Sequence, residues 1–168
     1  MDEKEVRRVV EDYSDMILRI SYNYLQHTYD AEDICQTVFM KYLSGNFVFQ
    51  TKSHEKAWMI RTTINACHDL RKNAFFKKTV SLDSAAEAVA PEIPSSELID
   101  EIKKLPVNYR ISIYLHYYEG YSVKEIAALM NKKESAVSKY LSRGKLKLKK
   151  SLTRDNDKLC KAGEFYDA

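Results

Sequence analysis

Ser135, Ser138, Lys139, Ser142 and Arg143 recur three and four residues apart, so a helix carrying them presents hydroxyls and cations on one face. Groups of this kind suit phosphate oxygens and base edges in a DNA major groove. The chemistry is reversible recognition of a polyanion. Arg61, Asn65, His68 and Lys72 form a second polar stripe, at steps of four, three and four. Unpaired bases call for a cationic groove with stacking surfaces. Phe47, Phe49 and Trp58 supply such surfaces, although a lone Trp at a helix edge also suits a core.

Nothing in the chain promises bond making. Carboxylates are plentiful, but none pairs with a nucleophile, a metal set or a glycine-rich phosphate loop. His68 and Asp69 are neighbours expected on different sides of their helix, which is no dyad. Cys35, Cys67 and Cys160 contain no CxxC, and His27, His54, His68 and His116 are dispersed, so neither a metal nor another cofactor is expected. Cys35 and Cys67 fall among apolar positions and read as buried thiols, while Cys160 lies in a polar tail.

Charge is unevenly spread. The chain of 168 residues carries a net +3. Residues 105–154 hold eleven Lys/Arg against three Asp/Glu, a net of +8. Residues 1–74 hold ten against eleven, a net of −1. A basic module at one end of a neutral chain points to a polyanionic partner. The first residues, MDEKEVRRVVEDY, lack the apolar core of a signal peptide, and no segment approaches the roughly 20 apolar residues of a membrane span. A cytoplasmic protein without membrane insertion is expected.

The elements that must position these groups are all helical. Val6, Val9, Val10, Tyr13, Met16, Ile17, Ile20 and Tyr24 mark a first helix. A second is expected to start with Asp30 as its N-cap and to turn Ile34, Val38, Phe39, Tyr42 and Leu43 inward, before Ser44-Gly45-Asn46 breaks it. A third runs from about Ser53 to Asn73 on a stripe of Ala57, Ile60, Ile64 and Cys67, with Trp58 and Leu70 at its edges. Periodicity fades from Ala74 to Pro94, where SLDSAAEAVAPEIP reads as a linker with at most a passing helical turn. Helical pattern returns with Leu98, Ile99, Ile102 and Leu105. Pro106 then opens another helix through Ile111, Leu115 and Tyr118 that stops at Gly120.

Next comes YSVKEIAALMNKKESAVSKYLSRGKLKLKK, Tyr121 to Lys150. Ser122 and Glu125 are spaced as a capping box, with Tyr121 and Ile126 as the hydrophobic staple. Ile126, Ala127, Leu129 and Met130 cover one face, and Asn131 tolerates the left-handed backbone a sharp turn requires. A second helix follows with Val137, Leu141 and Leu146 inward. This is a helix-turn-helix. The reading is all-α: residues 1–74 and 95–154 as two small helical domains on a flexible linker, 75–94, with a polar, frayed tail at 155–168.

Four segments, in order, resemble the bacterial RNA polymerase sigma factors of the sigma-70 family, in the compact extracytoplasmic-function (ECF) form. YDAEDICQTVFMKYL (Tyr29 to Leu43) is similar to the polymerase-binding helix of region 2. KAWMIRTTINACHDLRKN (Lys56 to Asn73) is similar to the region 2 helix that contacts and melts the minus-ten element. LPVNYRISIYLHYYEGYS (Leu105 to Ser122) resembles the start of region 4, and the helix-turn-helix resembles the part that reads the minus-35 element. The resemblance spans roughly Val10 to Leu152. Asn131 stands where a glycine is common, Lys132 and Lys133 where a Ser or Thr cap is common, and Tyr140 where many relatives carry Arg.

The resemblance implies a non-enzymatic binding subunit, monomeric when free, with core RNA polymerase (β′ clamp and β flap), promoter DNA and an anti-sigma factor as partners. It implies Asp30, Asp33, Gln36 and Phe39 for the polymerase contact. Phe47, Phe49, Trp58, Arg61, Asn65, His68 and Lys72 are assigned to the minus-ten strand, and Ser135, Ser138, Lys139, Ser142 and Arg143 to the minus-35 duplex. The residues alone leave a second reading open, a conventional helix-turn-helix regulator that binds duplex operator DNA without polymerase.

Overall fold

The computed structural model describes residues 2–80 and 97–163, with side chains for 2–74 and 97–153. The chain divides into two units. The linker residues 81–96 and the last five residues lie outside the described residues, as does the side chain of Cys160. Every regular element among the described residues is helical.

The first unit packs three helices: α1 (Glu3–Leu25), α2 (Thr28–Ser44) and α3 (Lys52–Val80). In α1 the expected stripe is buried from Val9 to Tyr24, joined by Ser21, while Val10 turns outward. Gln26 ends the helix in the left-handed region (φ 56°), and its N–H bonds to the Tyr22 carbonyl at 2.8 Å. That backbone reversal starts α2 at Thr28, three residues before the start that an Asp30 N-cap implies. The N-cap is His27, not Asp30. The His27 ring nitrogen Nδ1 accepts the Asp30 N–H at 3.4 Å, and Asp30 sits in the first turn, where its charge opposes the helix dipole.

The buried face of α2 is Ala31, Ile34, Cys35, Val38 and Tyr42. Leu43, one residue beyond Tyr42, is turned out of it. Thr51 caps α3, its hydroxyl accepting the His54 N–H at 3.2 Å. Met59, Ile60, Thr63, Ile64, Ala66 and Cys67 make the inward face of α3, and Ala57 is only half-buried. The helix continues to Val80, beyond the expected end at Asn73. Burial pushes the Cys67 thiol up to about 12 and the Cys35 thiol up as well, so both act as small apolar groups.

The second unit holds α4 (Glu97–Lys104), α5 (Val107–Ile113), a π-helical turn (Tyr114–Tyr118), α6 (Val123–Met130) and α7 (Glu134–Gly163). Leu98 and Ile99 are exposed, and α4 is anchored instead through Leu105 and the buried Glu101. The Glu101 carboxylate accepts from Lys104 on its own helix and from Ser151 on α7, which holds it below the usual carboxylate range. Pro106 is the N-cap of α5, one position before the first helical residue. Buried Arg110 donates to the carbonyls of Leu105 and Lys103, satisfying the end of α4. In the π turn the Glu119 N–H reaches five residues back to Tyr114 O at 3.2 Å. The wider turn keeps Leu115 inside but rotates Tyr118, expected on the inner face, out to solvent. Gly120, at φ 77°, supplies the left-handed residue that ends it. Ile111, Leu115, Ile126 and Val137 are fully buried and form the centre of this core.

Candidate functional site

The helix-turn-helix forms as its residues dictate. Ser122 Oγ accepts the Glu125 N–H at 3.3 Å, and the Glu125 carboxylate accepts the Ser122 N–H at 2.8 Å. The second bond is the first cause of the lowered Glu125 pKa. Asn131 takes the left-handed turn at φ 51°, ψ 50°, and Lys132 N–H closes it on Ala127 O at 2.9 Å. On α7 the inward positions are Val137, Leu141 and Gly144. A Cβ at Gly144 would stand 2.8 Å from the Ile113 Cδ1, so the glycine lets α7 pass close to α5.

Leu146, expected inside, is 52% exposed. It lies five residues past Leu141, about 140° round the helix, whereas Gly144 and the half-buried Leu148 continue the three- and four-residue steps. Ser135, Ser138, Lys139, Ser142 and Arg143 are all exposed. Tyr140 leaves that face half-buried, its ring 5.6 Å from Tyr109 on α5. Exposed Lys145, Lys147, Lys149 and Lys150 extend the basic surface along α7.

In the first unit Arg61, Asn65, His68 and Lys72 are exposed along α3. Trp58 precedes Arg61 by three residues and so heads the same stripe. His68 Nδ1 lies 3.8 Å from Asp69 Oδ1, nearer than opposite sides of the helix would allow, but both are well exposed and too far apart for a hydrogen bond.

The aromatic residues at the head of the stripe form a cluster. Phe47 and Trp58 ring centres are 4.5 Å apart, Phe49 lies 5.9 Å from Phe47, and Tyr42 lies 6.0 Å from Phe49 with the two planes 5° apart. Trp58 and Phe49 are half-buried, and Phe47 at the lip is 41% exposed. Gly45 makes room for Phe47. A Cβ there would sit 2.0 Å from its ring.

Beneath the cluster is a carboxylate that periodicity did not single out. Glu55 is 4% exposed and carries hydrogen bonds on both oxygens. Oε1 accepts from Tyr42 Oη at 2.6 Å and Arg8 Nη2 at 2.9 Å, while Oε2 accepts from Tyr13 Oη at 2.8 Å. One side chain thereby ties α1, α2 and α3 together. Burial pushes the Glu55 carboxyl up, but the bonds from Arg8, Tyr42 and Tyr13 outweigh it and hold the group below the usual range. Burial first, then the bond to Glu55, pushes the Tyr42 hydroxyl up to about 12. A Glu in the first turn of a helix reads as an ordinary dipole partner, so only the coincidence of Arg8, Tyr13 and Tyr42 in space distinguishes it.

On α2, Asp33 and Gln36 are exposed, and with Thr37, Met40, Lys41 and Ser44 they line a shallow open groove. Asp30 and Phe39 are half-buried. Phe39 lies six residues past Asp33, about 120° away from that line, and the apolar side chain on the line is Met40, 65% exposed. The steps Asp33, Gln36, Met40 were the available signal. Among the described residues no group of His, Cys, Asp and Glu could hold a metal ion.

Residues 9–75 match the family model for Sigma-70 region 2, and residues 95–148 match Sigma-70 region 4. Together the two matches cover well over half of the chain. This chain is a sigma factor of the sigma-70 family, ECF type. The ECF RNA polymerase sigma factor SigW of Bacillus subtilis is similar at 28% identity over 90% of each chain. The ECF sigma factor BldN of Streptomyces coelicolor is 27% identical over 77% of this chain, which spans about half, 53%, of BldN.

Among solved structures, the sigma factor RpoE, in complex with the anti-sigma factor NepR from Bartonella quintana, shares the fold with a TM-score of 0.71 at 18% identity, over 89% of this chain and 98% of that one. CnrH, in complex with the cytosolic domain of CnrY, has a TM-score of 0.63 at 19% identity, over 92% and 91%. The exposed face of α7 belongs to the sigma factor's region 4, and the aromatic cluster with its stripe belongs to region 2.

Proposed function

We propose that this sigma factor binds core RNA polymerase through the exposed face of α2 and directs it to promoters with two upstream elements. Asp33, Gln36 and Met40 make the polymerase contact, with Asp30 and Phe39 at its border. The stripe Arg61, Asn65, His68 and Lys72 tracks the minus-ten strand, while Phe47, Phe49 and Trp58 stack against a base held out of the duplex. Ser135, Ser138, Lys139, Ser142 and Arg143 read the minus-35 duplex from the major groove. The observation that carries this reading is the aromatic cluster placed at the head of a polar stripe on one exposed helix face.

The chain has no chemistry of its own to perform. Stacking energy that is available only to an unpaired base favours melted over closed DNA. Because RpoE is seen in complex with the anti-sigma factor NepR, we extend the same kind of partner to this chain: an anti-sigma factor covers the polymerase-binding face until a signal releases it, in the cytoplasm.

Run-off transcription with core RNA polymerase on fragmented genomic DNA, with and without the chain, tests the reading. Start sites that appear only with the chain and share two upstream elements are the expected result. Tight duplex binding by the chain alone, with no polymerase association and no new starts, would instead establish the operator-binding regulator.

A further inference from the structure

Glu55 is buried beneath the aromatic surface assigned to DNA and accepts hydrogen bonds from three side chains, Arg8, Tyr13 and Tyr42. Its geometry explains how a short loop between α2 and α3 holds aromatic rings partly in water. Phe47 and Phe49 have no regular backbone of their own, and among the described residues their aromatic ring contacts are to Tyr42, to Trp58 and to each other. Trp58 is fixed by α3. Tyr42 sits at the last turn of α2, where a helix frays unless it is held, and its hydroxyl is held by Glu55 at 2.6 Å. Glu55 is in turn locked by Arg8 and Tyr13 of α1. Arg8 is braced from outside by Glu5 at 2.6 Å and Asp12 at 3.0 Å. The floor of the aromatic cluster is therefore set by a carboxylate whose oxygens are fully engaged and whose neighbours leave it no second position.

We infer that Glu55 is a positioning residue for promoter opening: acting through the Tyr42 hydroxyl, it holds Phe47 and Phe49 against Trp58 as a preformed stacking surface for one unpaired base. The inference rests on the reading that this loop meets the minus-ten strand. A preformed surface costs the incoming base no ordering of the loop, so the gain from stacking goes into melting. Loss of the hold leaves the same rings present but disordered before the base arrives. The defect then appears in opening and in base discrimination, and is absent from assembly with polymerase.

Tyr42→Phe is the informative variant, because it keeps the ring and removes only the bond to Glu55. Phe47→Ala removes the lip of the surface itself. Each is assembled with core RNA polymerase and mixed with a duplex promoter carrying 2-aminopurine in the minus-ten element, so that fluorescence reports the base leaving the stack. The same holoenzymes are titrated with a promoter already mismatched across that element, with each base in turn at the flipped position.

For Tyr42→Phe the expected result is opening about tenfold slower on duplex DNA, the factor one hydrogen bond to a charged group supplies. Preference among bases on the pre-opened promoter falls by a similar factor, at unchanged affinity for core polymerase. Normal opening and normal preference in Tyr42→Phe, with Phe47→Ala defective, would overturn the positioning role and leave the loop reading intact. Normal behaviour in both variants would overturn the loop reading itself. Equal loss of core binding in Tyr42→Phe would reduce Glu55 to a structural tie of the helical unit.

Discussion

The Tyr42 hydroxyl donates to Glu55 Oε1 at 2.6 Å while the Tyr42 ring lies parallel to Phe49, so one side chain joins the buried polar centre of the first unit to its aromatic surface. This pair makes stability depend on pH at both ends. The folded Tyr42 value, about 12, is raised above the ordinary 10.0. Its contribution is fully present below pH 10 and is lost as pH rises towards about 12, because the unfolded chain releases the proton first. Glu55 is lowered from 4.5, so its contribution is present above that value and is lost as pH falls through the folded one. Denaturant midpoints measured across pH should fall off on both sides, and Tyr42→Phe should flatten the alkaline decline. An equally steep alkaline decline in the variant would remove Tyr42 from the account.

Gly45→Ala should expel the Phe47 ring from its place, since the new methyl would fall 2.0 Å from it. Trp58 is the sole tryptophan, and Phe47 lies 4.5 Å from it, so its emission reads the cluster directly. A red shift with unchanged helicity is expected. Emission identical to the parent protein would mean that the loop adjusts without moving Phe47.

Ser122→Ala removes the cap of α6 while leaving its buried face untouched. The expected cost is about 1 kcal/mol, the usual value of an N-cap hydroxyl. Urea titration followed by far-ultraviolet dichroism measures it, and a change below about 0.3 kcal/mol would show that the capping box adds little in this context.

The corrected face of α7 can be tested by a pair of substitutions. Leu141→Ala should cost about 2–4 kcal/mol as a buried leucine truncation, whereas Leu146→Ala should stay within about 0.5 kcal/mol. Comparable losses would put Leu146 back in the core.

Arg143→Ala and Lys139→Ala should each weaken binding to the minus-35 duplex and reduce the slope of log affinity against log salt by about 0.9, one released counterion per phosphate contact. Affinity for core polymerase should not change. If both variants lost polymerase and DNA binding together, the two surfaces would have been assigned to the wrong units.

Much of this molecule is legible from short-range rules. The capping box at Ser122 and Glu125, the left-handed Asn131 and the buried Ile126-Ala127-Leu129-Met130 face each follow from residue type within one helical turn, and each is present. The stripe Arg61, Asn65, His68 and Lys72 follows from spacing alone and is exposed along its length. Errors collect where a neighbour outside the local window decides. His27 displaces Asp30 as cap because Gln26 reverses the chain first. Tyr118 turns out because the helix widens at Tyr114. Leu146 and Phe39 are apolar residues off the buried stripe, and hydrophobicity without angular position misplaces both.

The sequence by itself determined the all-α class, the helix-turn-helix and the chemistry of its outer faces, because helical period, caps and charge are local properties of the chain. Only the tertiary structure decided that Arg8, Tyr13, Tyr42 and Glu55 meet at one point, and that Phe47, Phe49 and Trp58 form one surface above it. Those contacts join three different helices and the loop between two of them, and no periodicity records which carboxylate will be buried. The packing of three helices selects it, and the cost of burying an unpaired charge then demands that every partner be in place.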